Sequence, residues 1–191
     1  MRERQILAVA GLSGSGKSTL IKKAKSQFKF QHLSASELIK KFKVKNENII
    51  ASSEELRTGN LPQNQIDLVH AFLYEKSRIE GDIIFDCHTL IDTPNGLICI
   101  SSDVFKVIGV SHFAFLRVDP KALSVRRHMD KGRKRPKRNP DELAEQQKIA
   151  LEAALDIARD IETPFTELAV SPCEEIEGLL SQLNFARIVN T

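Results

Sequence analysis

Gly11-Leu12-Ser13-Gly14-Ser15-Gly16-Lys17-Ser18-Thr19 fits the pattern G-x-x-x-x-G-K-[ST], and its flanks decide how it is read. Before it, Gln5-Ile6-Leu7-Ala8-Val9-Ala10 is a short apolar run without alternation, as in a parallel strand covered on both faces. After it, Thr19-Leu20-Ile21-Lys22-Lys23-Ala24-Lys25 reads as helix. Strand, glycine-rich turn and helix in this order make a phosphate cradle. The glycines let the backbone curl until successive N–H groups point at phosphate oxygens, and the helix N-terminus adds positive potential. Gly11, Ser13, Gly14, Ser15, Gly16, Lys17, Ser18 and Thr19 are therefore expected to hold the triphosphate of ATP, with Lys17 reaching the β- and γ-phosphates and Ser18 ligating Mg²⁺.

A second apolar run, Gly81-Asp82-Ile83-Ile84-Phe85-Asp86, ends in a carboxylate. Asp86 at the end of a buried strand fits the role of holding Mg²⁺ beside the loop. His88, two residues on, either touches the acceptor or is structural. No N-K-x-D segment is present to read guanine, which favours ATP as the donor. Nor is there an obvious catalytic base, and a phosphate acceptor needs none because it brings its own nucleophilic oxygen.

The 191 residues suit a single domain, 1–191. With 41% hydrophobic and 28% charged residues the composition is that of a globular chain, and no segment reaches the apolar length of a membrane span. Met1-Arg2-Glu3-Arg4 leads directly into the first strand, so no signal peptide is expected and the expected compartment is the cytoplasm. Cys87, Cys99 and Cys173 show no metal-binding or disulfide spacing and are expected to be reduced and packed. The net charge of +3 is small, but Arg126, Arg127, Lys131, Arg133, Lys134, Arg135, Lys137 and Arg138 are opposed in their stretch only by Asp130. Three readings stay open: a polyphosphate clamp, a nucleic-acid patch, or a solvated helix end. A loop with Arg133 and Arg135 between two helices looks like a lid over the triphosphate that excludes water during transfer.

Apolar runs alternate with helical stretches along the chain, as a parallel α/β sheet requires. Phe28 to Leu33 reads as a strand, and Ser34-Ala35-Ser36-Glu37 as a capping box opening a helix through Lys43. A looser polar segment is expected to about Gly59. Asn60-Leu61-Pro62 then caps a helix with Ile66, Val69 and Leu73 on one face. Thr93-Pro94-Asn95-Gly96 is a turn signal before a hairpin arm at Leu97 to Ile100, and a helix is capped near Ser102 or Asp103. A strand at His112 to Val118 precedes a helix from Asp119-Pro120 to about Lys131. A long helix runs from Pro140 to about Glu162, with a last strand around Phe165 to Val170 and a terminal helix from near Cys173.

Taken together, Asp86-Cys87-His88, Thr93-Pro94-Asn95-Gly96, Asp119-Pro120, Asp130-Lys131-Gly132-Arg133-Lys134-Arg135, Gln147 and Ala153-Ala154 resemble the archaeal-type adenylate kinases, a family of P-loop nucleoside monophosphate kinases. Glu55-Leu56-Arg57 with Leu61-Pro62 is similar to that family's acceptor-binding elements. The resemblance spans most of the chain. It implies an α/β P-loop NTPase fold in three layers, with a five-stranded, mostly parallel sheet and helices on both faces. It also implies an acceptor-binding helical insertion at about 34–80 and a short lid at about 130–140. The implied reaction is ATP-Mg²⁺-dependent phosphorylation of AMP, with Arg57 on the acceptor phosphate, Lys17, Arg133 and Arg135 in catalysis, and trimeric assembly. Leu151 stands where the family carries an arginine, and the segment from Lys45 to Ser53 differs in polarity. Two alternatives remain: a P-loop kinase for another acceptor, such as a different nucleotide or a nucleic-acid 5′-end, and an ATP-binding module that regulates a partner protein.

Overall fold

The strand before the glycine-rich loop, β1 (Ile6–Ala10), is buried along its whole length and sits at the centre of the sheet. Its residues alternate between two cores. Ile6, Ala8 and Ala10 face one, and Leu7 and Val9 the other, so a continuous apolar run is what this position demands. The computed structural model describes residues 3–130, 132 and 135–188, with Glu47 described in its backbone only.

β1 pairs in parallel with β3 (Ile83–Asp86) on one side and with β6 (His112–Leu116) on the other. β2 (Gln31–Ser34) and β7 (Phe165–Leu168) form the edges, giving the order β2-β3-β1-β6-β7 with every pair parallel. A separate antiparallel hairpin joins β4 (Leu90–Thr93) to β5 (Gly96–Cys99), where the Thr93 to Gly96 turn was expected. From β1 the chain crosses to the edge strand β2, fills the gap between them with β3, and then passes to the other side of β1 to add β6 and β7. The carboxyl ends of β1, β3 and β6 therefore border the crevice in which open α/β sheets bind ligands.

Helices cover both faces. α1 (Lys17–Ala24) and α8 (Pro172–Gln182) pack over Leu7, Val9 and Ile84, with Ile21, Ile176 and Leu180 buried between them. On the opposite face lie α4 (Leu61–Arg78), α5 (Ser102–Ile108) and α7 (Pro140–Asp160). Phe72, Phe85, Phe105 and Phe113 form a chain of edge and tilted ring contacts there, with successive centroids 5.0, 6.4 and 5.1 Å apart. α6 (Pro120–Met129) follows β6 and carries its N-cap on Asp119, which accepts from the N–H groups of Lys121 and Ala122. This is the expected α/β architecture, with helices on both faces of a five-stranded sheet.

Several local expectations change. α2 (Ala35–Glu47) starts after Ser34, but the Ser34 hydroxyl meets Ser36 Oγ at 3.3 Å and no side chain caps the helix, so the expected capping box is not formed. A capping box does form one element later. Ser52 and Glu55 bond reciprocally and open α3 (Ser53–Thr58) inside the segment expected to be irregular. In α4 the buried face is Leu61, Leu68 and Phe72, and Ile66 and Leu73 are exposed, at 49% and 39%. Of the expected Ile66–Val69–Leu73 stripe only Val69 packs against the core; the buried face is turned toward the sheet, where Phe72 meets Phe85. Strand β2 begins at Gln31, with Phe28 held instead in an isolated bridge to Arg187. Of the cysteines only Cys87 is buried, where burial pushes its thiol up; Cys99 is exposed on the hairpin and Cys173 half-buried. Among the described residues no helix is long and apolar enough to cross a membrane.

Candidate active site

The loop between β1 and α1 takes the strained shape its glycines permit. Gly11, Gly14 and Gly16 have φ of +148°, +87° and +101°. At Gly11 a Cβ would stand 2.9 Å from the Leu116 carbonyl oxygen, so the first loop residue is glycine for want of space as well as for its dihedral. Gly16 in the left-handed region turns the chain into α1.

Lys17 is buried, with its Nζ donating to the Gly11 and Leu12 carbonyls at 3.0 and 3.3 Å and lying 3.8 Å from Asp86 Oδ1. Ser18 Oγ donates to Asp86 Oδ2 at 2.7 Å. The two residues expected to meet Mg²⁺ are thus already in contact, brought together by the parallel pairing of β1 with β3. Burial opposes charge on Asp86. The imidazole of His32, 3.7 Å away on β2, with the Lys17 ammonium and the Ser18 hydroxyl, nevertheless holds its carboxyl at about 2. His88 Nδ1 is 2.7 Å from the Gly11 carbonyl, which only accepts, so Nδ1 carries the proton. Ser15 Oγ is buried and unpartnered among the described residues. No group of three or more His, Cys, Asp or Glu side chains that could hold a metal occurs among the described residues. A hard cation beside Ser18 and Asp86 would complete its shell with phosphate oxygens and water, so the donor set fits Mg²⁺.

The basic segment contacts this loop. Arg126 Nη1 donates to the Ser15 carbonyl at 2.8 Å, and Arg127 Nε to the Ser13 carbonyl at 2.9 Å. Arg135 Nε donates to Ser13 Oγ at 3.0 Å, and its Nη2 to Asp130 at 2.7 Å. Arg135 Nη1 is buried with no partner among the described residues. Burial, reinforced by the charges of Arg135, Arg138 and Arg57, pushes the Arg127 guanidinium down to about 10.

Two cavities meet here. One, of about 690 Å³, follows the loop from Ser13 through Ser18 and Thr19 and includes Asp86 and Arg126. The other, of about 180 Å³, lies under α2, α3 and α4, with an apolar floor that includes Ile39, Leu68 and Phe105 and with Arg57 and Arg127 in its lining. Ser13, His88 and Arg135 line both. The linings of the two cavities therefore bring together Ser13 to Thr19 with Asp86, Arg57 and Arg135, while Gly11 lines neither. Arg133 lies outside the described residues. Four contributors escaped the sequence reading: Arg126 and Arg127 as loop contacts, Asp92 on β4, and Gln146 on α7. The first two belong to the positive run read from the sequence, which gave their charge but not their contacts with the loop carbonyls.

Comparison with known proteins agrees with this geometry. A family model described as an AAA domain matches residues 10–144. No curated protein matches the chain in sequence. Similar solved structures include a gluconokinase from Sinorhizobium meliloti 1021, with 19% identity, TM-score 0.52, and 96% of this chain and 95% of that one covered. A shikimate kinase from Bacteroides thetaiotaomicron gives 18%, 0.53, and 94% and 96%. The Deinococcus radiodurans tunicamycin resistance protein gives 14%, 0.58, and 98% and 100%. At these identities the likeness is one of fold, and the fold is that of P-loop kinases.

Proposed function

This chain belongs to the AAA-domain family, and from that membership and the paired cavities we propose that it is an ATP- and Mg²⁺-dependent phosphotransferase acting on a nucleoside monophosphate, with the adenylate-kinase-type reaction ATP + AMP = 2 ADP. The observation that carries the reading is Arg135. Its side chain lines both cavities, and its Nη1 is buried with no partner among the described residues, where a phosphoryl group passing between them would receive it.

The loop N–H groups and Lys17 would hold the β- and γ-phosphates, and Ser18 and Asp86 the hydrated Mg²⁺. When bound, the metal neutralises charge on the bridging phosphate oxygens. Arg57 and Arg127 at the second cavity suit an acceptor phosphate, and the apolar floor suits a flat base. Asp92, which also lines that cavity, is tied to Arg138 at 3.0 Å and to Gln146 at 3.1 Å. A carboxylate so engaged is a poor general base, which favours an acceptor that arrives already ionised over a hydroxyl. In this reading the lid expected at about 130–140 acts through Arg135, while Lys131, Arg133 and Lys134 of that stretch lie outside the described residues.

One observation favours another acceptor: His88 lines both cavities and could serve a hydroxyl as base. A coupled assay of ADP release with ATP-Mg²⁺ separates the readings. The acceptors are AMP, the other nucleoside monophosphates, sugar acids and an oligonucleotide with a free 5′-hydroxyl. AMP is expected to be preferred by at least about tenfold, a difference of ~1.4 kcal/mol in transition-state binding. Preference for a hydroxyl acceptor overturns the proposal. ATP binding without turnover of any acceptor points instead to the regulatory module.

A further inference from the structure

Two consecutive glutamines on α7 are both buried, yet they differ in one respect. Gln147 uses both ends of its amide: its Nε2 donates to the Val118 carbonyl and its Oε1 accepts from the Val118 N–H, both at 2.9 Å. Gln146 is only half used. Its Nε2 donates to Asp92 Oδ2 at 3.1 Å, while its Oε1 is buried with no partner among the described residues, in a side chain lining the second cavity.

The direction of this amide is fixed by its neighbours. Asp92 accepts from Arg138 through both oxygens, Oδ1 at 3.0 Å and Oδ2 at 3.3 Å, and Arg138 is itself braced by Glu142 at 3.2 Å. A carboxylate held in that fork can only accept, so the Gln146 amide must turn its NH₂ toward Asp92. A flipped amide would set carbonyl oxygen against carboxylate oxygen. The carbonyl is therefore held as an unsatisfied acceptor, and a buried acceptor without a donor is unfavourable until something supplies one. The fully ionised phosphate of a substrate cannot do so, because it offers acceptors only.

We infer that Gln146 is a specificity residue whose side-chain carbonyl accepts a hydrogen bond from a neutral donor on the acceptor substrate, a hydroxyl or an amino group. The inference rests on the reading of the second cavity as a nucleoside monophosphate site. On such a molecule the donor is a sugar hydroxyl or the exocyclic amino group of the base. An analogue lacking it leaves Gln146 Oε1 unpaired and loses roughly 10- to 100-fold in kcat/KM, the range set by one unsatisfied buried polar group.

The test uses the whole protein and four acceptors: AMP, 2′-deoxy-AMP, 3′-deoxy-AMP and purine riboside 5′-monophosphate, each assayed with wild type and with Gln146→Met. Methionine keeps the volume and removes the acceptor. In the wild type one analogue is expected to fall roughly 10- to 100-fold below AMP, and its identity tells sugar hydroxyl from amino group. In Gln146→Met that gap should shrink to within about twofold, while the KM for ATP stays put. A purely structural glutamine would lower all four acceptors together. Equal use of the four by wild type, which needs no variant to fold, overturns the inference and leaves the monophosphate reading intact. A gap that persists in Gln146→Met also overturns it. Phosphorylation of none of the four overturns the monophosphate reading and this inference with it.

Discussion

Replacing Arg135 by alanine should separate catalysis from folding. Among the described residues the side chain makes two polar contacts, to Ser13 Oγ at 3.0 Å and to Asp130 at 2.7 Å. The Asp130 side chain is 40% exposed, so that ion pair is screened and contributes about 0–1 kcal/mol. The Ser13 contact adds about 1 kcal/mol. A loss of about 1–2 kcal/mol lowers the Tm of a chain of this length by roughly 2–8 °C, well short of unfolding at 25 °C. The transition state loses more. If Nη1 meets the phosphoryl group in transit, its removal costs about 2.7–4 kcal/mol, or 10²–10³ in kcat, the scale for one preorganised donor. ATP affinity should stay within about threefold, because the loop amides and Lys17 remain. Thermal melts, ATP titration and the coupled assay on the same preparation read all three quantities. A variant that keeps kcat within about twofold of wild type refutes the placing of Arg135 at the point of transfer.

Lys17→Ala should lower turnover by at least about two orders of magnitude while the fold survives, and near-normal rates from purified variant would remove the loop from the chemistry. Gly11→Ala combines a φ of +148° with a 2.9 Å approach to a backbone oxygen, so it should destabilise by about 2 kcal/mol or more and weaken ATP binding; a Tm within about 2 °C of wild type would contradict the geometry. Asp86→Asn should raise the Mg²⁺ concentration needed for half-maximal activity, read by titration at fixed ATP. The same variant tests the Asp86 carboxyl itself. Its folded value of about 2 lies below the usual 3.8, so the stability it contributes is present above about pH 4 and is lost as pH falls toward 2. The stability difference between wild type and Asp86→Asn should therefore shrink by about 2 kcal/mol over that interval in denaturant titrations, and a constant difference would show that Asp86 is not held ionised by its neighbours.

The phosphate loop was legible because its determinants are consecutive: an apolar strand, glycines where only glycine fits, and a helix start all lie between Ile6 and Ala24. Asp86 was legible for a similar reason, as the last residue of a run whose burial dictates a strand end. Arg57 needed a family resemblance to be singled out, and the structure sets it in the lining of the second cavity. Other features depended on which of several equivalent local solutions the packing chose. Ser34 and Ser52 each precede a glutamate at the spacing of a capping box, and only the second forms one. Ile66–Val69–Leu73 and Leu61–Leu68–Phe72 both follow the period of a helix, and the buried face is the one turned toward the sheet, where Phe72 meets Phe85. The half-used amide of Gln146 lay furthest from any pattern. Its direction is set by Asp92, 54 residues away on a hairpin, and by Arg138 at the foot of α7. Sequence spacing fixes neighbours along one strand or one turn of helix, whereas the direction of a buried hydrogen bond depends on groups that meet only once the sheet, the hairpin and the long helix have closed on one another.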